Sequence, residues 1–167
     1  MNRSQGHATS LHLANRSRVR SHTHDGRDPM AGAAPTRADV SLRVPADGAY
    51  VSVLRTMTAG LAARLDFTVD DIEDLRIAVG EACALVLPEA DPSGDLEAEF
   101  RLGPGLLSVT VGVPTDGPRD PDYESFAWQV LSTLATEASV VGDGTRFEVT
   151  FSNESSIPVV GASGADA

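Results

Sequence analysis

The sequence predicts an α+β protein, a two-layer sandwich of one mixed β-sheet with three helices on one face. Three observations lead there. Stretches that alternate apolar and polar side chains are interspersed with stretches whose apolar residues recur every three to four positions. In chain order these read strand, helix, helix, two strands, helix, two strands, with short glycine turns inside the strand pairs. The chain of 167 residues, 41% hydrophobic, suffices for one domain with a sizeable core but not for two large ones.

Residues 1–37 lie outside that pattern. They are polar, rich in small residues and without apolar periodicity, and are expected to form a disordered arm, with Met30 a candidate alternative start of translation. The domain is expected over residues 38–153. It opens with "DVSLRVP", where Val40, Leu42 and Val44 alternate with Ser41 and Arg43 until Pro45 ends the strand. In "ADGAYVSVLRTMTAGLAARLDF", Val51, Leu54, Thr58, Leu61 and Leu65 fall at the spacing of one helical face. Thr68 N-caps a second helix with acids in its first turn and a core stripe of Ile72, Leu75, Val79, Ala82 and Val86, which Pro88 brings to an end. "DLEAEFRL" and "LLSVTVGV" flank the turn "GPG" as a hairpin. After the loop "PTDGPRDPDY" comes a third helix, "ESFAWQVLSTLATEA", with Phe126, Val130, Leu131 and Leu134 on its apolar side. "ASVVGDGTRFEVTFS" is a second hairpin turning at Gly142-Asp143-Gly144, and residues 154–167 are expected to form a disordered tail.

Composition narrows the function. Residues 1–37 hold six arginines, two acids and all four histidines, whereas the remainder holds seven arginines against twenty-two acids, and lysine is absent throughout. A domain that acidic repels phosphate, so nucleic acid is not an expected partner, and a basic protein surface suits it better. No apolar run approaches the roughly 18–20 residues of a membrane helix, and no secretory leader is evident, so a cytoplasmic protein is expected. The single cysteine, Cys83, cannot form an internal disulfide and sits in an apolar helix, and no Cys/His cluster suggests zinc.

The order of elements, together with "EDLRIAVGEAC" on the second helix and "GTRFEVTF" as the final strand, resembles the histidine-kinase-like ATPase superfamily. Within it, residues 39 to 152 are most similar to the RsbW-type anti-sigma factors and serine kinases. The resemblance implies a Glu-x-x-x-Asn motif on the second helix, whose Glu activates the attacking hydroxyl and whose Asn helps hold the Mg²⁺ bound to ATP. Glu81 falls on the first position and Leu85 on the second. Leucine offers no oxygen to a cation that demands oxygen ligands, and the two positions face one way on a helix. The family's adenine motif, Asp-x-Gly-x-Gly, corresponds to "VPTDGPRD". There Gly117 matches the first glycine, the Asp position holds Thr115, or Asp116 if the loop slips by one residue, and the second glycine is missing. Where the family opens its last helix with phosphate-binding glycines, this chain has "PDYESFAW", with Asp122 and Glu124 where an anion would bind. Gly144-Thr145 retain the family's final Gly-Thr. Without the motif, Glu81 reads as a solvated or capping charge, Gly144-Thr145 as turn chemistry, and Trp128 equally as a partner anchor or core.

The resemblance thus implies an anti-sigma factor that sequesters an alternative sigma factor, as in a stress response, and is released by an anti-anti-sigma (STAS-type) partner, acting as a homodimer. Its alternative implication is an ATP-dependent serine protein kinase that phosphorylates the anti-anti-sigma factor. With the Mg²⁺ and ATP motifs altered, activity is expected to be weak or lost and no cofactor to be required. By the same resemblance the sigma-binding surface lies around the first helix and the dimer-forming strands. This singles out Tyr50, Arg55, Arg64 and Asp66, with Arg55 and Arg64 on the side of the helix away from its apolar stripe.

Overall fold

The computed structural model describes residues 38–117 and 119–157. The arm expected at 1–37, its histidines and Met30, and residues 158–167 lie outside the described residues. Five strands and three helices follow in order: β1 (Val40–Pro45), α1 (Val51–Arg64), α2 (Val69–Val86), β2 (Asp95–Gly103), β3 (Leu106–Pro114), α3 (Phe126–Leu134), β4 (Glu137–Gly142) and β5 (Arg146–Glu154). Short 3-10 turns, Gly48–Tyr50 and Leu87–Glu89, precede α1 and follow α2.

The sheet order is β1-β2-β3-β5-β4. The α+β class and the helical layer are as expected, but the sheet is antiparallel at every pairing rather than mixed. The connection through α3 brings β4 back running in the same direction as β3, which alone would make a parallel ladder. β5 inserts between them, pairing Val109 with Phe151 on one side and Val140 with Val149 on the other, so no parallel pair forms.

α2 is the central helix of its layer, packed on β3 and β5 and flanked by α1 and α3. Its start is set locally by a capping box, in which Thr68 Oγ1 accepts from the Asp71 N–H at 3.1 Å while the Asp71 carboxylate accepts from the Thr68 N–H. Leu75, Ala78, Val79, Gly80, Ala82, Cys83 and Val86 are all buried, a wider face than the expected stripe, because neighbours cover α2 on both flanks as well as beneath. The inner face of the sheet supplies Leu96, Phe100, Leu107, Val109, Val111, Val113, Val149 and Phe151. Each large side chain buried here is worth about 1.5–3 kcal/mol. α1 contributes Leu54, Thr58 and Ala62, and Thr58 satisfies its hydroxyl on the Leu54 carbonyl at 2.8 Å.

Two expectations near the C-terminus are corrected. The third helix ends at Leu134, not beyond, because Asn153 Nδ2 donates to the Leu134 carbonyl and the Thr136 N–H joins Ser152, which pulls the chain into β4. Phe126, placed on its apolar side, is instead 76% exposed at the first turn, and Leu131 is the residue that α3 buries. Past β4, Glu154 completes β5, the Ser155 N–H donates to the Gly105 carbonyl, and Ser156 donates through its N–H and hydroxyl to Asp71.

Candidate functional site

The loop after β3 and the turn between β4 and β5 are brought together by backbone chemistry. The Thr115 N–H donates to the Thr145 carbonyl at 3.0 Å, and the Gly117 N–H to the Gly144 carbonyl at 3.1 Å. Gly117 and Gly144 take φ of 101° and 92°, conformations that a side chain would strain. Of the expected site residues, Thr115, Gly117, Gly144 and Thr145 therefore form one corner, and Asp116 stands exposed on it.

That corner spends its polar groups on itself. The buried Thr115 donates its hydroxyl to the Gly117 carbonyl at 3.2 Å, and Thr145 donates its N–H and hydroxyl to Asp143 Oδ1, each at 2.9 Å. The Arg146 N–H adds a third donor at 2.9 Å. These bonds, led by the Thr145 N–H, hold the Asp143 carboxyl below its ordinary value. Further along, Arg119 Nε lies 3.0 Å from Glu89 Oε2, an ion pair off the line of a hydrogen bond, and the Arg119 carbonyl lies hard against Gly142, where a side chain would collide with it. Sequence reasoning missed Asp143, Arg119 and Glu89. The Asx-turn pattern at Asp143 was legible, but the Arg119–Glu89 pair joins segments thirty residues apart.

On α2, Glu81 is half-buried and has no hydrogen-bond or ion-pair partner among the described residues. Leu85 packs against the hydrophobic core one turn later. The side chains do not fit Mg·ATP held as the resemblance requires. The metal-ligand position is apolar, and the N-terminus of α3 is capped by its own Ser125, which accepts from the Trp128 N–H at 3.3 Å, with the acids Asp122 and Glu124 beside it. Among the described residues no group of three or more His, Cys, Asp or Glu could hold a metal ion, and no helix is long and apolar enough to cross a membrane. Trp128 is half-buried on the core, its ring edge-on to exposed Tyr123 with centroids 5.2 Å apart.

The expected partner residues do not share one setting. Tyr50 is half-buried at the start of α1, Arg64 is exposed at its end, and exposed Asp66 follows with a left-handed φ of 60°. Arg55 is exposed, as expected of it, but its side chain leans toward α2. Its guanidinium crosses to α2 and fills the space that a side chain at Gly80 would need. Beneath it, burial pushes the Cys83 thiol up to about 12, with Arg55 pulling weakly the other way. The opposite face of the sheet is polar. Arg43 pairs with Asp95 and Glu97, Arg146 pairs with Glu97 and Glu148, and Gly112 leaves room for Arg146 and Glu148. A shallow depression of about 430 Å³ is lined there by Ser108, Glu137, Ser139, Thr150 and Ser152.

No family model matches the chain. It is 38% identical over 88 residues to a protein named serine-protein kinase RsbW from Halalkalibacterium halodurans, a stretch covering 52% of each protein. It is 37% identical over 75 residues to the serine-protein kinase RsbW of Bacillus subtilis, covering 43% of this chain and 47% of that one. The chain thus matches about half the length of these curated relatives. Among solved structures, about a third of a chain comprising the RsbU and RsbW domains of Rv1364c from Mycobacterium tuberculosis shares its fold, with a TM-score of 0.56 at 16% identity over 72% of this chain and 34% of that one. The RsbW-type resemblance therefore stands both in sequence, over about half the chain, and in fold, over most of it.

Proposed function

We propose that this chain is an anti-sigma factor of the RsbW type, which binds and sequesters an alternative sigma factor and yields it to an anti-anti-sigma (STAS-type) partner. The observation that carries the reading is RsbW-type sequence and fold combined with an apolar Leu85 at the metal-ligand position. Sequestration needs surface shape and charge; phosphoryl transfer needs the oxygen that Leu85 lacks. The acidity of the domain supports a basic protein partner. A cytoplasmic homodimer, with Tyr50, Arg55, Arg64 and Asp66 contributing to the sigma-binding surface, belongs to the same proposal.

The test is purification of the tagged full chain from its own cells, with the bound proteins identified by mass spectrometry. A sigma factor in near-equal amount is expected. Recovery of the chain with other partners and no sigma factor overturns the reading. A second reading, an active serine kinase, is favoured by the retained Glu81 and by the name the relatives carry. Transfer of labelled phosphate from Mg·ATP to the co-purified anti-anti-sigma protein would establish it, with Glu81 in the role of base and Thr115, Asp116, Gly117, Gly144 and Thr145 as the nucleotide contacts.

A further inference from the structure

Gly80 stands in the middle of α2, fully buried, a position where glycine is the poorest helix former after proline. The space it leaves has an occupant. A Cβ at residue 80 would come within 2.8 Å of Arg55 Nε and 2.9 Å of Arg55 Cζ, and closer still to Nη2. Arg43, Arg76, Arg101, Arg119 and Arg146 are each ion-paired, but Arg55 has no hydrogen-bond or ion-pair partner among the described residues, and the group it faces electrostatically is the neutral Cys83 thiol. A guanidinium is therefore held against a helix while its N–H donors remain unspent.

We infer that Gly80 is a positioning residue for Arg55: the gap in α2 seats the guanidinium at the α1–α2 seam and presents its N–H fork to a carboxylate of the bound sigma factor. The inference rests on the anti-sigma reading and adds to it the residue that fixes the recognition group. A planar fork suits bidentate pairing with a carboxylate, and a seat that removes its conformational freedom before binding lowers the entropy lost on association.

Gly80→Ala tests this. The atoms in the way are the end of a flexible side chain, so the added methyl displaces the guanidinium rather than breaking the fold, and alanine favours the helix. The Tm is expected to stay or to rise by a few degrees. Affinity for the co-purified sigma factor is expected to fall at least about tenfold, the loss of a charged hydrogen bond. In an Arg55→Ala background, Gly80→Ala should cost no further affinity, because the group it seats is gone. If Gly80→Ala weakens capture equally in both backgrounds, or leaves it unchanged while Arg55→Ala weakens it, the inference is overturned. If the full chain captures no sigma factor, the anti-sigma reading fails by itself and the seat is decided without a partner. The ¹⁵N relaxation of the Arg55 Nε–H should then show a restrained group in the wild type and a mobile one in Gly80→Ala. Equal mobility in the two proteins overturns the seat.

Discussion

At the corner where the loop after β3 meets the β4–β5 turn, donors have found acceptors within the chain: the Thr115 and Thr145 hydroxyls and the N–H groups of Thr115, Gly117 and Thr145. At the α1–α2 seam the reverse holds. Arg55 and Glu81 bring opposite charges to one helical layer, and neither has a partner among the described residues. A site built to receive a ligand keeps donors in reserve, whereas a site that has bonded to itself must first break those bonds. The corner that matches the nucleotide motifs is thus the settled part of the molecule, and the seam is the part with recognition capacity left over.

The largest expected effect falls on the seam. Arg55→Glu should cost roughly 2–5 kcal/mol of sigma-factor binding if the guanidinium meets a buried carboxylate. Folding stability should change by no more than about 0.5 kcal/mol, since Arg55 bonds nothing in the described chain. Titration calorimetry paired with thermal melts measures both. Intact capture by Arg55→Glu would break the contrast between the two regions.

The corner should respond in the opposite manner. Gly144→Val forces a β-branched side chain into a φ of 92° and should cost about 1–2 kcal/mol of stability, read from urea unfolding. Capture per folded molecule should stay as it was. A binding loss beyond the folding loss would return the corner to the recognition surface.

Acid should expose the corner's self-bonding in a smaller measure. Asp143 is held below its ordinary value by the Thr145 and Arg146 donors. At Asp71 partial burial pushes upward, but the bonds from Thr68 and Ser156 together outweigh it and the net shift is also downward. A carboxyl whose folded value is depressed contributes stability that is fully present above its unfolded value, near pH 4, and is lost as pH falls through the folded value. The stability of the wild type should therefore decline below about pH 4 more steeply than that of Asp143→Asn or Asp71→Asn, and parallel curves would show that the bonds carry no linkage.

Much of this architecture was legible because it is local. The capping box at Thr68 and Asp71, the alternation in β2 and β3 and the β4–β5 turn all follow from residues a few positions apart. What escaped depends on distant partners. The direction of Arg55 is decided by a missing side chain twenty-five residues away, and the end of α3 by Asn153 reaching back to Leu134. The antiparallel sheet followed from the insertion of β5 beside β3, which no single segment encodes. At the candidate site, Leu85 and the acids before α3 were readable from the motif positions. The self-bonded state of Thr115 and Thr145 depends on two segments thirty residues apart meeting through the Thr115 N–H and the Thr145 carbonyl.

Mg·ATP affinity gives a narrower comparison. With an apolar residue at the metal position and acids at the start of α3, a Kd above about 1 mM is expected, equivalent to roughly −4 kcal/mol or weaker. Leu85→Asn restores one oxygen but leaves Asp122, Glu124 and the self-bonded corner in place, so calorimetry should show no micromolar binding for it either. Micromolar affinity in the wild type would mean that the corner opens at small cost, and would favour the kinase reading.

The smallest effect is expected from Glu81→Ala. Glu81 follows Gly80 directly, so it is the natural place to ask whether α2 acts through its carboxylate or through the space it grants to Arg55. The carboxylate is half-buried and bonded to nothing in the described chain, so its removal leaves no orphaned partner, and alanine is the better helix former. Stability should change by less than about 0.5 kcal/mol, and sigma-factor affinity should stay within twofold, about 0.4 kcal/mol. The neighbouring substitution Gly80→Ala adds a methyl where Glu81→Ala removes a charge, so the pair separates space from charge on one turn of helix. Should Glu81→Ala abolish capture while Gly80→Ala spares it, charge on α2 would be the recognition element and the pocket side of the helix would carry the function.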